Sequence, residues 1–428
     1  MQRAVFLDRD GTITETDGYF SKIGELKIVS GLAGAIKKLN KKFLVVLITN
    51  QPIVARGLCT EEDVRKLHDE IIADLAKQGA RIDAVYFCPH HPEQHHDVPE
   101  HAKKYRVRCE CRKPAAGMIH QAAKDMDIDI ASSFFVGDST RDMKAAHNAG
   151  CTSILVKTGL AGQDGKYEAD PDYICEDIIE AAKLIGNLSN IRAVILAGGK
   201  GERLRPLTLE TPKPMIEING KPILGHQIES LKRSGITRIV LCTHYLKDKI
   251  RDYFGNGERF GVDIEYPLEP VSLSSGGAVK NAHQFLKDCS YLVIINGDSM
   301  IGKGFDFRSL IRQHVNSNAF ATLLVRDTDH PMDSDIMELD PEGKIIGFVG
   351  RGQQEKKTAN SGMVVCSPAL LDYIPDGPCN LEQDVIFKLI GKKDLYGFVM
   401  PKVWFKKDVG TIERLESVRK HFAETGMI

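Results

Sequence analysis

A glycine-rich stretch near the middle of the chain carries residue types suited to binding a nucleoside triphosphate. An apolar run at residues 193–197, typical of a buried strand, leads directly into it. Glycines let the backbone approach an anion closely, so that backbone N–H groups can cradle phosphate oxygens. Arg203 and Lys213 add fixed positive charge, which is needed where negative charge accumulates on a phosphorus under attack. The stretch predicts transfer of a phosphorus group. Its glycines are Gly198, Gly199 and Gly201.

Spacing excludes two commoner phosphate-binding loops. A dinucleotide fingerprint would need a glycine where Leu204 stands, and a Walker loop would need Ser or Thr directly after Lys200. Instead, AVILAGGKGERLRPLTLETPKP at residues 193–214 resembles, nearly residue for residue, the signature loop of the nucleoside-diphosphate-sugar pyrophosphorylases, which are sugar-1-phosphate nucleotidyltransferases. The structural alternative is a glycine-rich turn with surface cations. The resemblance implies that Arg203 and Lys213 stabilise the charge at phosphorus.

Two carboxylates follow the first apolar run of the chain. Residues 5–7 predict a short buried strand that ends in Asp8-Arg9-Asp10-Gly11. Carboxylates one residue apart at a strand end point the same way only if the backbone turns, and Gly11 permits that turn. Such a pair can share a magnesium ion or divide the roles of nucleophile and acid. Two solvated loop carboxylates are the alternative for a bare D-x-D, whereas the full DRDGT is more specific.

Polar residues also follow other predicted strands of the first half. Thr49 and Asn50 come after the apolar run 43–48 and could bind a phosphate through hydrogen bonds, and Asp138 comes after the run 133–136. Helical patterns separate these strands. Alternating β and α elements predict a doubly wound, largely parallel sheet, in which active sites gather at the C-terminal ends of the strands.

The first half resembles the haloacid dehalogenase superfamily of phosphatases at Asp8, Asp10, Thr49, Lys113 and Asp138. The resemblance implies that Asp8 attacks phosphorus to form an aspartyl-phosphate, and that Asp10 is the general acid and then the base for the attacking water. It also implies a magnesium ion between Asp8, the Asp10 carbonyl and Asp138. Lys113 and Thr49 would hold the phosphoryl oxygens.

Three thiols and one imidazole stand in two tight pairs joined by a long loop. Cys88 and His90 form one pair, and Cys109 and Cys111 form the other. Together they are a complete tetrahedral zinc set, and four protein ligands predict a structural zinc site. Chance cysteines beside a loop histidine are the alternative. The remaining cysteines are expected to be reduced thiols. Four nearby histidines are expected to have no ligand role: His91, His95, His96 and His101.

Several short motifs narrow the resemblance. CPHHPE, CECRKP and the ARG at residues 55–57 resemble the D-glycero-D-manno-heptose 1,7-bisphosphate 7-phosphatases and, less closely, the histidinol-phosphate phosphatases. This implies that Arg112 binds the distal part of the sugar bisphosphate. One departure is the segment 52–54, Pro-Ile-Val, where the family usually has a small Ser-Gly pair. Pro52 rigidifies that loop.

The second half carries further motifs that resemble the nucleotidyltransferase family. Asp298 follows a predicted strand, and Asp408 precedes Val-Gly-Thr near the C-terminus. In the resembled family these aspartates hold the catalytic magnesium. A turn aspartate at a strand end is the structural alternative for either one alone.

Substrate contacts in this half are likewise implied by resemblance. Glu269 matches the position that reads the nucleobase, and Gly276-Gly277 resembles the base-binding segment. A carboxylate can accept from both N1–H and the exocyclic amine of guanine, which favours GTP. Asn360 lies in a sugar-binding segment. Arg351 stands where the family has a lysine, so it would contact the sugar phosphate with the same charge and a different geometry.

Length and composition limit the number of domains and the kinds of binding partner. The chain has 428 residues, 42% apolar and 27% charged, with a formal net charge of −1. These values predict two globular domains, with three as the alternative, and no electrostatic binding to nucleic acid or a membrane surface. The motifs predict a haloacid dehalogenase-like phosphatase domain at 1–186, a linker at 187–190, and a sugar-1-phosphate nucleotidyltransferase domain at 191–428. Hairpins are expected at 336–348 and 396–406.

The motifs together predict a bifunctional α/β enzyme of GDP-heptose synthesis, with small-molecule substrates, magnesium in both domains and zinc in the first. Lacking a signal peptide pattern or a membrane-length apolar run, it is expected in the cytoplasm. One alternative is a phosphatase of another small phosphate ester fused to a mannose-1-phosphate guanylyltransferase. A different alternative is that one domain is a silent ligand-binding module.

Overall fold

A computed structural model describes residues 2–15, 27–92, 98–302, 304–328, 335–349 and 358–426. The chain forms two compact units, Met1–Gly186 and Asn187–Ile428. The predicted sugar-phosphate contact Arg351, and two of the loop histidines, His95 and His96, lie outside the described residues. No helix within the described ranges is both long and apolar enough to span a bilayer.

The first unit is a parallel sheet between helices. Its strands lie in the order β3-β2-β1-β4-β5-β6, and every neighbouring pair is parallel. The strands are β1 Ala4–Leu7, β2 Leu44–Asn50, β3 Ala84–Cys88, β4 Phe134–Gly137, β5 Thr152–Val156 and β6 Tyr173–Cys175. The helices are α1 Leu32–Leu39, α2 Glu61–Lys77, α3 Glu100–Lys103, α4 Gly117–Met126, α5 Thr140–Ala149 and α6 Ile178–Leu188. The predicted doubly wound α/β fold is confirmed.

The register of this sheet explains where its polar residues meet. Strand β1 is wholly buried and lies between β2 and β4, with Leu7 opposite both Leu47 and Val136. The chain therefore leaves these three central strands at the same edge of the sheet. Helix α5 begins there with a capping box between Ser139 and Asp142, which fixes its first turn.

The second unit is built on a larger sheet that is parallel in most of its length. The main path runs β11-β10-β7-β12-β17-β14-β18, and only β17 is antiparallel to its neighbours β12 and β14. Its strands are β7 Ile191–Leu196, β8 Glu217–Ile218, β9 Lys221–Pro222, β10 Arg238–Cys242, β11 Asp263–Glu265, β12 Tyr291–Asn296, β13 Ser299–Ile301, β14 Ala321–Asp327, β15 Ile336–Leu339, β16 Ile345–Val349, β17 Thr358–Cys366, β18 Leu395–Val399 and β19 Lys406–Asp408. Its helices are α7 Ile223–Arg233, α8 Lys247–Phe254, α9 Ser274–Asn281, α10 His283–Leu286, α11 Phe307–Asn316 and α12 Ile412–Thr425.

Two of these pairings bring separate motifs together. Leu196, the last residue of β7, is opposite Asn296 of β12, so the glycine-rich loop leaves the sheet beside Asp298. In a small separate ladder, Ser299 of β13 is opposite Asp408 of β19. This two-stranded ladder places the loop that carries Asp298 beside the loop that carries Asp408, and these are the two predicted metal ligands of this unit.

Two local predictions differ from the structure. The hairpin at 336–348 is present as β15 and β16, but the hairpin at 396–406 is wrong, because β18 pairs in parallel with β14 and β19 pairs with β13. Strands β18 and β19 each pair with a strand that is distant in the sequence, and not with each other. Helix α6 continues to Leu188, so residues 187 and 188 of the predicted linker are helical. Leu188 itself belongs to the second unit, where its side chain packs against an apolar cluster.

Candidate active sites

One cavity of about 190 Å³ gathers the predicted phosphatase residues at the C-terminal edge of the first sheet. Strand β1 delivers Asp8, β2 delivers Thr49, and β4 delivers Asp138, as the strand order requires. Four more predicted residues line the same cavity: Asp10, Asn50, Arg112 and Lys113. Sequence reasoning assigned no site role to three other cations of its wall: Arg56, Arg141 and Lys166.

Lys113 is the central cation of this cavity. Its Nζ lies 2.7 Å from Asp8 Oδ1 and 2.6 Å from Asp142 Oδ1, and it donates to the Ile48 carbonyl at 2.8 Å. Burial alone would lower the pKa of Lys113, but the Asp142 and Asp8 carboxylates outweigh it and raise that pKa. Asp142 Oδ2 accepts from the Ser139 hydroxyl at 2.5 Å, so Asp142 serves to position Lys113.

Three buried carboxylates crowd one end of the cavity. Oxygens of Asp8, Asp138 and Asp142 all lie within 4.8 Å of one another. Burial, with neighbouring carboxylates adding to it, raises the pKa of Asp8 to about 6 and that of Asp138 to about 8. A Cβ on Gly11 would lie 2.2 Å from Asp138 Oδ2, so only glycine fits there. Since Asp142 is engaged, Asp8 and Asp138 remain as hard oxygen ligands that fit magnesium.

Asp10 is held by a buried network that the sequence did not reveal. Arg9 is 1% exposed, and its guanidinium donates to both Asp10 oxygens at 2.7 and 2.9 Å. It also donates to Gln51 Oε1 at 3.0 Å and lies 3.3 Å from His68 Nε2. Gln51 in turn donates to Asp10 Oδ2 and to Thr49 Oγ1, each at 3.0 Å. The sequence signal that could have revealed this network is His68, a histidine on the otherwise apolar face of α2.

Asn50 uses its side chain on the protein itself. Its Nδ2 donates to the Lys113 carbonyl at 3.1 Å, and its Oδ1 accepts from the Lys113 N–H at 3.0 Å. These two hydrogen bonds hold the backbone of Lys113, while Asn50 also lines the cavity and its contact with a phosphate stays a prediction. Arg112 lines the cavity and donates to the His90 carbonyl at 3.0 Å.

The four predicted zinc ligands form one compact cluster. The three thiol sulfurs lie 3.2 to 3.6 Å apart, and His90 Nδ1 lies 3.3 Å from Cys111 and 3.7 Å from Cys88. Ligands about 2.3 Å from a tetrahedral zinc ion stand about 3.8 Å apart, so this donor set fits zinc. Cys111 precedes Lys113 by two residues. A metal here would therefore anchor the segment that carries the central cation of the phosphatase cavity.

We expect Cys109→Ser to remove bound zinc and to destabilise the first unit. Because a structural zinc site contributes folding free energy, the free energy of unfolding should fall by at least about 3 kcal/mol. Zinc content of the purified protein, with a thermal unfolding profile, checks this result. Cys59→Ala is the matched control, since Cys59 is buried in the same unit outside the cluster and should leave zinc unchanged. One zinc per chain retained in Cys109→Ser would contradict the assignment.

The glycine-rich loop of the second unit borders a cavity of about 510 Å³. Its predicted residues line this cavity together: Gly198, Gly199, Gly201, Arg203 and Lys213. A Cβ on Gly199 would meet nothing within 4 Å, so this glycine opens space toward a ligand. Gly201 has a φ of +62°, and a Cβ there would lie 2.9 Å from Thr208. Glycine is therefore required at 201 by the loop conformation.

Both predicted metal aspartates of the second unit are paired with lysines. Lys213 Nζ forms an ion pair with Asp298. Asp408 Oδ1 accepts from Lys406 Nζ at 2.7 Å and from the Ser299 hydroxyl at 2.7 Å. Burial would raise the pKa of Asp408, but the Lys406 ammonium outweighs it and holds that pKa below its ordinary value. Lys406 is itself buried, which sequence reasoning missed. Two carboxylates on adjacent loops fit a magnesium ion.

A further cavity of about 630 Å³ borders the other side of the Asp408 loop. Asn360 and Asp408 line it, as do Arg326 and Arg414. The Asn360 side chain accepts from the Gly362 N–H at 3.2 Å. The structure thus places the predicted sugar-binding segment beside the predicted metal ligand.

Comparison with known proteins identifies both halves. Residues 192–425 match the family model described as nucleotidyl transferase, and residues 110–181 match the model described as HAD-hydrolase-like. The D-glycero-beta-D-manno-heptose-1,7-bisphosphate 7-phosphatase of Haemophilus ducreyi is 41% identical over 173 residues, which cover 40% of this chain and 91% of the relative. The chain belongs to the nucleotidyl transferase family and, through its first unit, to this phosphatase family. It is therefore an enzyme that combines a phosphatase with a nucleotidyltransferase.

Two other relatives extend the comparison. The phosphatase of the same description from Rhodopseudomonas palustris is 48% identical over 148 residues, covering 34% of this chain and 79% of the relative. A solved structure of HddC from Yersinia pseudotuberculosis complexed with GMP-PN is 27% identical. It covers 54% of this chain and 99% of its own, with a TM-score of 0.46.

The two glycines of the predicted base-binding segment are closely packed in the nucleotidyltransferase unit. Gly276 and Gly277 are buried, and both N–H groups donate to the Cys379 carbonyl, at 2.9 and 3.4 Å. A Cβ on Gly276 would lie 2.6 Å from Cys379 Sγ, and one on Gly277 would lie 2.4 Å from the Gly377 carbonyl oxygen. These glycines allow α9 to pack against the segment 377–381. Their N–H groups are occupied there, and contact of this segment with a base stays a prediction.

Proposed function

We propose that this enzyme makes a nucleotide-activated heptose in two consecutive reactions. The phosphatase unit removes the 7-phosphate of D-glycero-D-manno-heptose 1,7-bisphosphate. The nucleotidyltransferase unit then joins the remaining 1-phosphate to the α-phosphorus of GTP and releases pyrophosphate. The observation that carries the proposal is the 41% identity to a phosphatase of this description over 91% of that relative. The product of such a phosphatase is a sugar 1-phosphate, which is the substrate class of the second unit.

In the first reaction Asp8 is the nucleophile. Its carboxylate attacks phosphorus and forms an aspartyl-phosphate, while Lys113, 2.7 Å away, neutralises charge on the phosphoryl group. Asp10 gives a proton to the leaving sugar oxygen and later takes one from the attacking water. Arg9 and Gln51 hold the Asp10 carboxylate at the cavity wall for both steps. Asp8 and Asp138 would hold a magnesium ion, which would supply further positive charge.

Cations around the phosphatase cavity suit a substrate with two phosphates. Arg56, Arg112, Arg141 and Lys166 line it in addition to Lys113. One phosphate occupies the position beside Asp8 and Lys113. Arg56, Arg112, Arg141 and Lys166 form an electropositive rim that binds the second phosphate. The reaction leaves this second phosphate on the sugar.

In the second reaction the protein positions two phosphates for direct displacement. The glycine-rich loop holds the triphosphate, and Arg203 and Lys213 offset the charge that develops at the α-phosphorus. Asp298 and Asp408 would hold a magnesium ion, which would offset part of this charge. The sugar lies in the cavity lined by Asn360.

Glu269 supports the choice of guanine. Its carboxylate is 6% exposed, and Oε1 accepts from the Leu273 N–H at 3.1 Å, which fixes its orientation. Its backbone carbonyl contacts His244 Nδ1 at 3.1 Å, and His244 lines the cavity of the glycine-rich loop. Burial raises the pKa of Glu269, so two N–H donors of a guanine would favour its ionised form.

The proposal is tested by incubating the protein with magnesium, heptose 1,7-bisphosphate and an equimolar mixture of GTP, ATP and UTP. We expect inorganic phosphate first, then pyrophosphate with GDP-heptose as the main nucleotide sugar. Phosphate release without pyrophosphate would overturn the coupled reaction. ATP or UTP consumed faster than GTP would overturn the role of Glu269. Higher pyrophosphate release with mannose 1-phosphate than with heptose 1-phosphate would replace the heptose assignment by the mannose alternative.

A further inference from the structure

Two guanidinium groups converge on the metal-binding loop of the nucleotidyltransferase unit. A Cβ placed on Gly410 would lie 3.5 Å from the terminal nitrogen Nη2 of Arg203 and 3.7 Å from Nη1 of Arg414. Arg203 comes from the glycine-rich loop, and Arg414 comes from the first turn of α12. Gly410 follows Asp408 by two residues. Both cations therefore stand beside the proposed magnesium site.

Their positions relative to the two cavities differ. Arg203 and Gly410 line the cavity of the glycine-rich loop, where the triphosphate is proposed to bind. Arg414 and Asp408 line the neighbouring cavity, where the sugar is proposed to bind. The Asp408 loop separates the cavities, so Arg414 stands on its sugar side. Bond formation between the two substrates must occur at this boundary.

Neither guanidinium is neutralised by a carboxylate of the described residues. Glu202, the sequence neighbour of Arg203, has its carboxylate 3.7 Å from Arg205 instead. On the sugar side, Asp408 Oδ1 is occupied by Lys406 and Ser299, and the exposed Glu413 makes no ion pair with Arg414. Two unpaired cations held close together repel each other. An anion that binds between them relieves that repulsion.

The fold fixes Arg414 in this place. The Thr411 hydroxyl accepts from the Arg414 N–H at 3.3 Å and caps α12. Leu415 and Val418 of the same helix are buried in an apolar cluster that also contains Val409. The backbone of Arg414 is thus tied to the loop that carries Asp408. Its half-buried side chain needs no large rearrangement to reach a phosphate.

We propose that Arg414 is a further catalytic residue of nucleotidyl transfer, which binds the phosphate of the sugar 1-phosphate. This inference rests on the function proposed above and names the group that holds its nucleophile. A phosphate oxygen of the sugar 1-phosphate forms a bond to the α-phosphorus, and the bond from that phosphorus to the α,β-bridging oxygen breaks. Pyrophosphate leaves with that electron pair, and no proton is transferred. The planar guanidinium donates to two non-reacting oxygens and aims the third.

Steady-state kinetics of Arg414→Ala test this assignment. We expect the KM for sugar 1-phosphate to rise at least about tenfold and kcat to fall about 100-fold, with the KM for the nucleotide changed less than about twofold. Arg414→Lys should recover part of the loss, because lysine restores the charge without the two-pronged geometry. Free guanidinium ion should stimulate Arg414→Ala. Arg419→Ala on the same helix is the matched control and should behave as the wild type, since Arg419 is exposed and its guanidinium donates to the Glu217 carbonyl at 3.5 Å.

The outcomes separate the two proposals. An unchanged KM for sugar 1-phosphate in Arg414→Ala would overturn the role of Arg414 and leave the proposed function standing. Equal increases in both KM values, without rescue by Arg414→Lys or guanidinium, would show a structural role and also overturn it. Wild-type protein that releases no pyrophosphate with any sugar 1-phosphate would instead overturn the proposed function. A thermal unfolding profile that matches the wild type verifies that the second unit, which carries Arg414, is folded in each variant.

Discussion

Asp8→Asn is expected to abolish phosphate release while leaving nucleotidyl transfer intact. An amide cannot form the aspartyl-phosphate, so the phosphatase rate should fall by at least about 1,000-fold. The variant should remain folded, because Lys113 keeps its ion pair with Asp142 at 2.6 Å and its hydrogen bond to the Ile48 carbonyl. Phosphate release from heptose bisphosphate and pyrophosphate release from supplied heptose 1-phosphate are measured on the same preparation.

Asp69→Asn is the control for this experiment, because Asp69 is an exposed residue of α2 in the same unit. It should keep both activities. Phosphatase activity of Asp8→Asn above about 1% of the wild type would exclude Asp8 as the nucleophile. Loss of both activities would show instead that the two units do not work independently.

Lys213→Met is expected to have the converse effect. Lys213 is 13% exposed, pairs with Asp298 and lines the cavity of the glycine-rich loop, so its ammonium stands where charge develops at the α-phosphorus. Methionine keeps the length of the side chain and removes the charge. The rate of pyrophosphate release should fall by about 100- to 1,000-fold, as happens when a preorganised charge is removed from a transition state.

Lys420→Met provides the comparison, since Lys420 is an exposed residue of α12 that lies 3.8 Å from Glu424. This variant should retain full nucleotidyl transfer. Phosphatase activity should be normal in both lysine variants. A kcat within about threefold of the wild type for Lys213→Met would rule out the charge of Lys213 as a source of catalysis.

The two pairs of variants have a common physical basis. The residues of each proposed site all belong to one compact unit. The loss of one charge affects mainly the groups that are close enough to interact with it strongly. Asp8 and Lys213 belong to different units. Independent loss of either activity is therefore the expected behaviour.

Much of the phosphatase site could be predicted from sequence because its residues follow buried strands. Asp8 and Asp138 directly follow β1 and β4, and Thr49 lies at the end of β2; these strands are neighbours in a parallel sheet, so the approach of the three residues follows from the α/β pattern. The zinc set was equally accessible, since each of its two pairs has one intervening residue. The glycine-rich loop was recognised because its backbone conformation restricts residue types locally, as at Gly201.

Other parts of the sites depended on tertiary packing. Sequence reasoning assigned no role to Arg9, whose guanidinium contacts Asp10 and lies beside His68 of another element. The close packing of Gly276 against Cys379 likewise depends on residues far apart in the chain.

The residue types, the strand ends that carry them and the metal-binding spacings could all be read from the sequence alone. Which charges are paired, and which stay available for substrate, depends on tertiary packing. Lys406 is buried against Asp408, whereas Arg414, six residues further on than Asp408, has no carboxylate partner among the described residues. Nothing in the local sequence distinguishes these two cations. Their difference arises because pairing and burial depend on residues far apart in the chain, such as Ser299 and Ser361, which packing brings to Asp408 and Lys406.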